Sequence, residues 1–278
     1  MEYAIGFLIA FVMAITGVGA GSITAPLLLL FLHVPVEVGV GTALAYSTIV
    51  KLIVVPIQVW RRQVNYRVLV FMLIGGLPGV ILGSILFRYF FLKNSQNLLY
   101  IVLGLIIAGT SAWHILRHFK PKARDVQQAD RPRTLAAAML PVGIEVGFSS
   151  SGAGALGTIA LLGLTSLTTA QIVGTDLAFG FCVSLVGSGI HMLHGGYDSI
   201  LLTKLICGGT LGALAGSAAA PRLPNRQLRL ALSAWLLILG LQFCYRAVAD
   251  QVKASPIPSV QSSPSSLPVT ASIVPRRQ

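Results

Sequence analysis

The chain has 278 residues, of which 55% are hydrophobic and only 10% charged, with a formal net charge of +12; its mean hydropathy is +0.81. Soluble domains carry about 25% charged residues, so this composition excludes an ordinary soluble domain and reads as an integral membrane protein. The positive charge does not point to nucleic acid, because the basic residues flank apolar spans, at Arg61-Arg62, Arg117 to Arg133 and Arg222 to Arg229, where membrane orientation places them.

Met1-Glu2-Tyr3 sets no basic residue ahead of the first apolar run, so the N-terminus reads as mature chain and not as a cleaved signal peptide. That run, 4–32, contains "GVGAGSITAPLLLLF", with three glycines and a proline in its middle. Inside a helix glycine costs roughly 1 kcal/mol and proline roughly 3 kcal/mol relative to alanine, so the interruption serves something other than helix stability. A bilayer core needs about 20 apolar residues per helix; such windows follow at 38–60, 68–87 and 98–116. A basic linker, 117–134, leads to a second glycine-broken run, 135–163, and to windows at 171–193, 201–220 and 228–247. The tail, 248–278, is rich in Ser and Pro and reads as disordered. Cys182, Cys207 and Cys244 lie in apolar segments without paired spacing, which points to buried, inert thiols and away from a disulfide framework or a metal site.

Sliding the chain against itself by 133 residues aligns Gly19-Ala20-Gly21 with Gly152-Ala153-Gly154, Gly41-Thr42 with Gly174-Thr175, and Gly83-Ser84 with Gly216-Ser217. Between 19 and 84 there are 19 identities in 66 ungapped positions, and the glycines coincide, so the chain is an internal repeat. The halves are 1–116 and 135–247, each of about four hydrophobic segments with the first one glycine-broken. The fold class is an all-α polytopic membrane protein. If the broken runs are single spans the halves are parallel; if each forms a hairpin they are inverted, and Lys/Arg counts do not separate the two. The loop 61–67 carries Arg61, Arg62 and Arg67, whereas its repeat partner 194–200 carries neither Lys nor Arg. Opposite charge bias at equivalent loops favours inverted repeats, with 61–67 and the linker in the cytoplasm.

In hydrocarbon a backbone break is tolerated only inside protein or against a water-filled cavity, and two breaks at equivalent places point to a transporter's binding site. A helix starting after each glycine cluster would aim N–H groups and a positive dipole end at an anion. The candidate ligands are Gly19, Gly21, Ser22, Ser150, Ser151, Gly152 and Gly154, with Ser149 beside them; close helix packing is the alternative for the glycines. Gly75, Gly76, Gly79, Gly83 and their partners 208, 209, 212 and 216 read as packing. Lys51, Asp176 and Glu145 fall inside apolar runs, and intramembrane ionisable groups are functional candidates because their burial is costly. Asp176 is a candidate for proton uptake and Lys51 for neutralising an anion; a structural ion pair is the alternative. His191 and His194 read as solvated at a span end.

The order of a glycine-rich break, "APLLLLF", "VGVGTALAYSTIVK" and "GGLPGVILGS", followed in the second half by "IVGTDLAFGFCVSLVGSGIHMLHGGYDSILLTKLICGGTLGALAGS", resembles the TauE/SafE family of membrane transporters, associated with export of sulfite and organosulfonates. The resemblance covers about 1–247. It implies that the family's glycine-rich motif falls on Gly17, Gly19 and Gly21 and on Gly152 and Gly154, with Ala20, Ser150 and Ala153 where glycines are usual. Its G-T element falls on Gly41-Thr42-Ala43 and Gly174-Thr175-Asp176, which adds Thr42 and Thr175 to the site and leaves one repeat alone with a carboxylate. Asn65 stands where an acidic residue is common, while Asp198 keeps it.

The expected function is secondary transport of a small anion, such as sulfite, a sulfonate or another sulfur-containing organic acid, across the cell inner (cytoplasmic) membrane. There is no G-x-x-x-x-G-K-[ST] loop, so proton motive force is the expected energy source. An anion channel and a non-transporting scaffold are the alternatives. An enzyme is not expected, since the five histidines are scattered and no H-E-x-x-H occurs. No cofactor or metal is expected, and no catalytic residue; the partners are the anion and the bilayer, with a homo-oligomer open and nucleic acid excluded.

Overall fold

The computed structural model describes residues 2–16, 20–32, 34–93, 96–119, 131–150 and 154–219, with positions 234, 237, 238, 240–242 and 245. Most of the linker, the tail and the window 228–247 lie outside the described residues. The described elements are all helical: α1 (Glu2–Thr16), α2 (Ala20–Phe31), α3 (Val36–Trp60), α4 (Tyr66–Lys93), α5 (Gln96–Phe119), α6 (Pro132–Ser149), α7 (Ala155–Leu164), α8 (Thr169–Leu193) and α9 (Ser199–Ala219). Among the described residues four segments are long and apolar enough to cross a bilayer: Val36–Trp60, Tyr66–Tyr89, Thr169–Leu193 and Ser199–Ala219.

Both broken runs form pairs of short helices. The 15 residues of α1 and 12 of α2 reach only about 22 and 18 Å at 1.5 Å per residue, short of a core of about 30 Å. In the second half α6 ends at Ser149, Ser150 adopts a left-handed conformation with φ 63°, and α7 starts at Ala155. The Arg131 amide donates to Leu164 O at 3.2 Å, so the start of α6 meets the end of α7 and the two form a hairpin with the break at its tip. A capping box then starts α8, with Thr168 and Gln171 exchanging bonds.

Packing repeats across the chain with the same 133-residue offset. Cβ atoms added at Gly75, Gly79 and Gly83 of α4 would strike the backbone of Ala136, Leu140 and Ile144 on α6; at Gly208, Gly212 and Gly216 of α9 they would strike Tyr3, Phe7 and Phe11 on α1. These glycines let the backbones touch. In both contacts numbering rises together, so α4 runs parallel to α6 and α1 parallel to α9, with the Glu2–Lys204 ion pair (2.8 Å) at the start of the latter. Helices α3 and α8 cross at the centre and run antiparallel: Thr48 faces Ser188 (3.5 Å) and Lys51 faces Gly180 (3.0 Å). Fully buried Tyr46 on α3 lies against Gly209, and its repeat partner Phe179 on α8 lies against Gly76. Tyr46 also donates its hydroxyl to Gly6 O. Gly79→Leu or Gly212→Leu is expected to destabilise the fold by about 3 kcal/mol through overpacking, seen as a lower thermal midpoint and aggregation on size exclusion.

The expectation of buried thiols fails for Cys207, which is exposed on α9, and Cys182 is only half-buried. A lipid-facing residue and a core residue sit in equally apolar runs, so hydropathy does not separate them. Cys244 lies outside the described residues.

Candidate functional site

The residues singled out by the sequence separate into three groups. Gly19, Ser151 and Gly152 lie outside the described residues, and Gly21 and Ser22 fall in the first turn of α2 with their side chains likewise outside. Thr42 and Thr175 stand at the two ends of the α3–α8 crossing, bound to loops. Each accepts a backbone bond from the loop before the other half's long helix: Asp198 N–H donates to Thr42 Oγ1 at 3.1 Å, and Asn65 N–H to Thr175 Oγ1 at 3.0 Å. The duplicated G-T element thus pins two loops, and the glycine in it lets a loop approach, since a Cβ on Gly41 or Gly174 would meet the backbone of Gly196 or Gln63. Thr42→Val and Thr175→Val each leave an amide unpaired, an expected loss of about 1–3 kcal/mol. Thermal unfolding beside transport KM tells this pin from a substrate contact, which would also raise KM.

The third group gathers at the second break. Ser149 donates to Glu145 O at 2.9 Å, and the Ser150 amide to Val146 O at 2.9 Å, closing α6. Ser150 is 5% exposed and its hydroxyl has no hydrogen-bond partner among the described residues. Gly154 is the N-cap of α7, with no side-chain cap. Asp176 and Lys51 are each 2% exposed. Lys51 Nζ donates to Gly180 O, one turn along α8 from Asp176. Asp176 Oδ2 lies 2.8 Å from Thr158 Oγ1, whose oxygen is also 2.8 Å from Gly154 O. Gly157 of α7 is bare where the carboxylate arrives: a Cβ there would collide with Asp176 Oδ1. The first turn of α7, the carboxyl of α8 and the ammonium of α3 therefore form one buried polar centre.

Thr158 escaped sequence reasoning because its repeat partner is Ala25, so duplication gave no signal; a lone hydroxyl in the apolar α7 was the available cue. His191 corrects another expectation. It is 6% exposed, with Nε2 3.1 Å from Gly147 O and its ring 5.2 Å from that of Phe87, while His194 is the exposed one of the pair.

Apolar helices that cross at their own glycines, with ionisable groups buried beside a broken hairpin, define a multi-pass membrane protein of the transporter class. The chain belongs to the TauE/SafE family: the model described as "Sulfite exporter TauE/SafE" matches residues 3–243. Among its relatives is the probable membrane transporter protein YjnA of Bacillus subtilis (strain 168), 28% identical over 245 residues that cover 85% of this chain and 96% of that protein. From the same organism, the probable membrane transporter protein YunE is 23% identical, covering 88% and 96% of the two chains. YdhB, another probable membrane transporter protein, is 25% identical, covering 84% and 96%. No solved structure matches. The chain is accordingly a membrane transporter and not an enzyme.

Proposed function

We propose that the chain is a secondary transporter of a small anion, with sulfite, a sulfonate or another sulfur-containing organic acid as the substrate class, driven by proton motive force across the cytoplasmic membrane. The observation that carries this reading is the Thr158 oxygen, equidistant from Gly154 O and Asp176 Oδ2. A hydroxyl holds one hydrogen, and a carbonyl only accepts. With Asp176 ionised, two acceptors contest that hydrogen; with Asp176 protonated, the carboxyl donates to Thr158 and Thr158 donates to Gly154, so both contacts are met. The proton on Asp176 is thereby felt at the N-cap of α7, where an anion would meet backbone N–H groups. An anion beside ionised Asp176 would suffer like-charge repulsion, so proton and anion favour each other at this site, and Lys51 offsets the remaining charge.

Inverted repeats belong to the same proposal. Parallel α1/α9 and α4/α6, antiparallel α3/α8 and the short turns 61–65 and 194–198 support a path in which α1 and α6 enter from opposite faces. The three arginines at 61, 62 and 67 favour a cytoplasmic side for their loop, which in this proposal turns 194–198 outward.

The test is flux in proteoliposomes against sulfite, taurine, sulfate and acetate, with and without a pH gradient. Saturable flux of one anion that follows the gradient supports the proposal; flux that neither saturates nor follows it returns the chain to a channel. Thr158→Val keeps the side-chain volume and removes the hydroxyl. It is expected to flatten the pH profile of flux while KM stays within about twofold, a change below the 1.4 kcal/mol of a tenfold effect; an unaltered profile removes Thr158 from the coupling.

A further inference from the structure

A cavity of about 290 Å³ opens at the 194–198 end of the molecule, lined by Glu37, Ser84, Phe87, Arg88, His191 and His194. We infer that it is an outer antechamber for the transported oxyanion, with Arg88 and His194 supplying positive charge at its rim and His191 forming its floor. This rests on the anion-transport reading above.

The floor is built from buried groups that separate the cavity from the break. Ser84 Oγ, 2% exposed, donates to Gly147 O at 3.4 Å, and His191 Nε2 lies 3.1 Å from the same carbonyl. Phe87 stands edge-on to Phe148, with centroids 5.5 Å apart, and tilts onto His191. Gly147 is three residues before Ser150, so whatever passes this floor arrives at the hairpin tip.

The rim can recognise an anion. Arg88 is exposed, a fork of donors with a permanent charge. His194 Nδ1 is 2.7 Å from Ile190 O; a carbonyl only accepts, so that nitrogen donates. Both imidazoles thus commit one N–H to a backbone carbonyl, and the remaining nitrogen accepts when neutral and donates when protonated. The charged and titratable groups facing the cavity are Glu37 from α3, Arg88 from α4, and His191 and His194 from α8. A proton on the exposed His194 turns an acceptor into a donor and adds a positive charge opposite Glu37, so oxyanion binding strengthens as pH falls.

The repeat supplies an independent argument. Ser84, His191 and His194 correspond at the 133-residue offset to Ser217, Gln58 and Arg61 in the other half. Gln58 and Ser217 are 7% and 6% exposed, and Gln58 Oε1 and Ser217 Oγ have no hydrogen-bond partner among the described residues. A hydroxyl, a polar donor and a cation thus recur at the opposite end. Two equivalent antechambers are what alternating access around the buried centre requires.

The test uses full-length protein with Cys182, Cys207 and Cys244 replaced by Ala, and sulfite as the probe. An impermeant maleimide is expected to label I190C from outside only and S217C from inside only, and sulfite is expected to slow I190C labelling, more at pH 6 than at pH 8. In proteoliposomes R88Q and H194Q are each expected to raise KM for outside sulfite about tenfold, in line with losing one charged contact, while kcat stays within about twofold. Labelling of I190C from inside, labelling that sulfite does not slow, or unchanged KM in both variants overturns the antechamber. If R88Q fails to fold, H194Q and the labelling decide. If the wild type moves no sulfite while sulfite still protects I190C, the antechamber stands and the transport reading falls.

Discussion

Asp176→Asn is expected to reduce pH-driven flux to the background of empty liposomes while the protein still binds its anion. Asparagine keeps the size of a protonated carboxyl and its contact with Thr158, so the variant holds one of the two states between which the proposed site alternates. The rival is a static pair of Asp176 with Lys51, whose Nζ is anchored to Gly180 O at 3.0 Å. Breaking a buried pair costs about 3–5 kcal/mol because the surviving charge is left in low dielectric, and removing both charges restores much of that. Three proteins separate the readings. Under proton coupling D176N loses driven flux with a stability change of about 1 kcal/mol or less, the size of an ordinary altered hydrogen bond. Under the static pair, D176N and K51M each unfold several degrees early and the double variant recovers. Undiminished pH-driven flux in D176N ends the proton role whatever its stability.

Much of the fold was legible because it is written twice. Helix α3 covers 36–60 and α8 covers 169–193, and α4 and α9 begin at 66 and 199; each pair differs by 133, the offset at which the glycines align. The helix ends at Thr16 and Ser149 were legible for a physical reason, since glycine has no use inside an apolar helix unless the helix stops or touches another there. What was not legible depends on side chains meeting across the chain. Thr42 lies 156 positions from the amide it accepts from, and no periodicity reveals such a partner. Asp176 stood out as a charge in an apolar window, but Thr158, which gives that charge its geometry, has neither charge nor duplicate. Cys207 and His191 show the limit of hydropathy: one apolar-run residue faces out, and one span-end residue faces in.

Ser150→Gly is expected to move stability and transport in opposite directions. Ser150 has φ 63°, a left-handed conformation that costs an L side chain roughly 1–2 kcal/mol and glycine almost nothing. Its hydroxyl is also buried without a partner among the described residues, and an unsatisfied buried hydroxyl costs a further 1–3 kcal/mol or so. By both measures serine is the worse residue for the fold. Its first-half counterpart at the 133-residue offset is Gly17, the residue the backbone would prefer. A hydroxyl held in a strained, dry position at the tip of a hairpin is explained if an anion takes its hydrogen during transport. S150G should therefore raise the thermal midpoint by several degrees, equivalent to about 2–5 kcal/mol from strain and hydroxyl together, and lower kcat/KM about tenfold or more, the value of one hydrogen bond to a charged group. Ser150→Ala separates the contributions, because it removes the hydroxyl and keeps the strain: transport should fall as in S150G, with only the hydroxyl's share of the stability gain, about 1–3 kcal/mol. If S150G is more stable and transports as well as the wild type, the hydroxyl contacts no substrate, and the break is held by the backbone of Gly154 and the first turn of α7 alone.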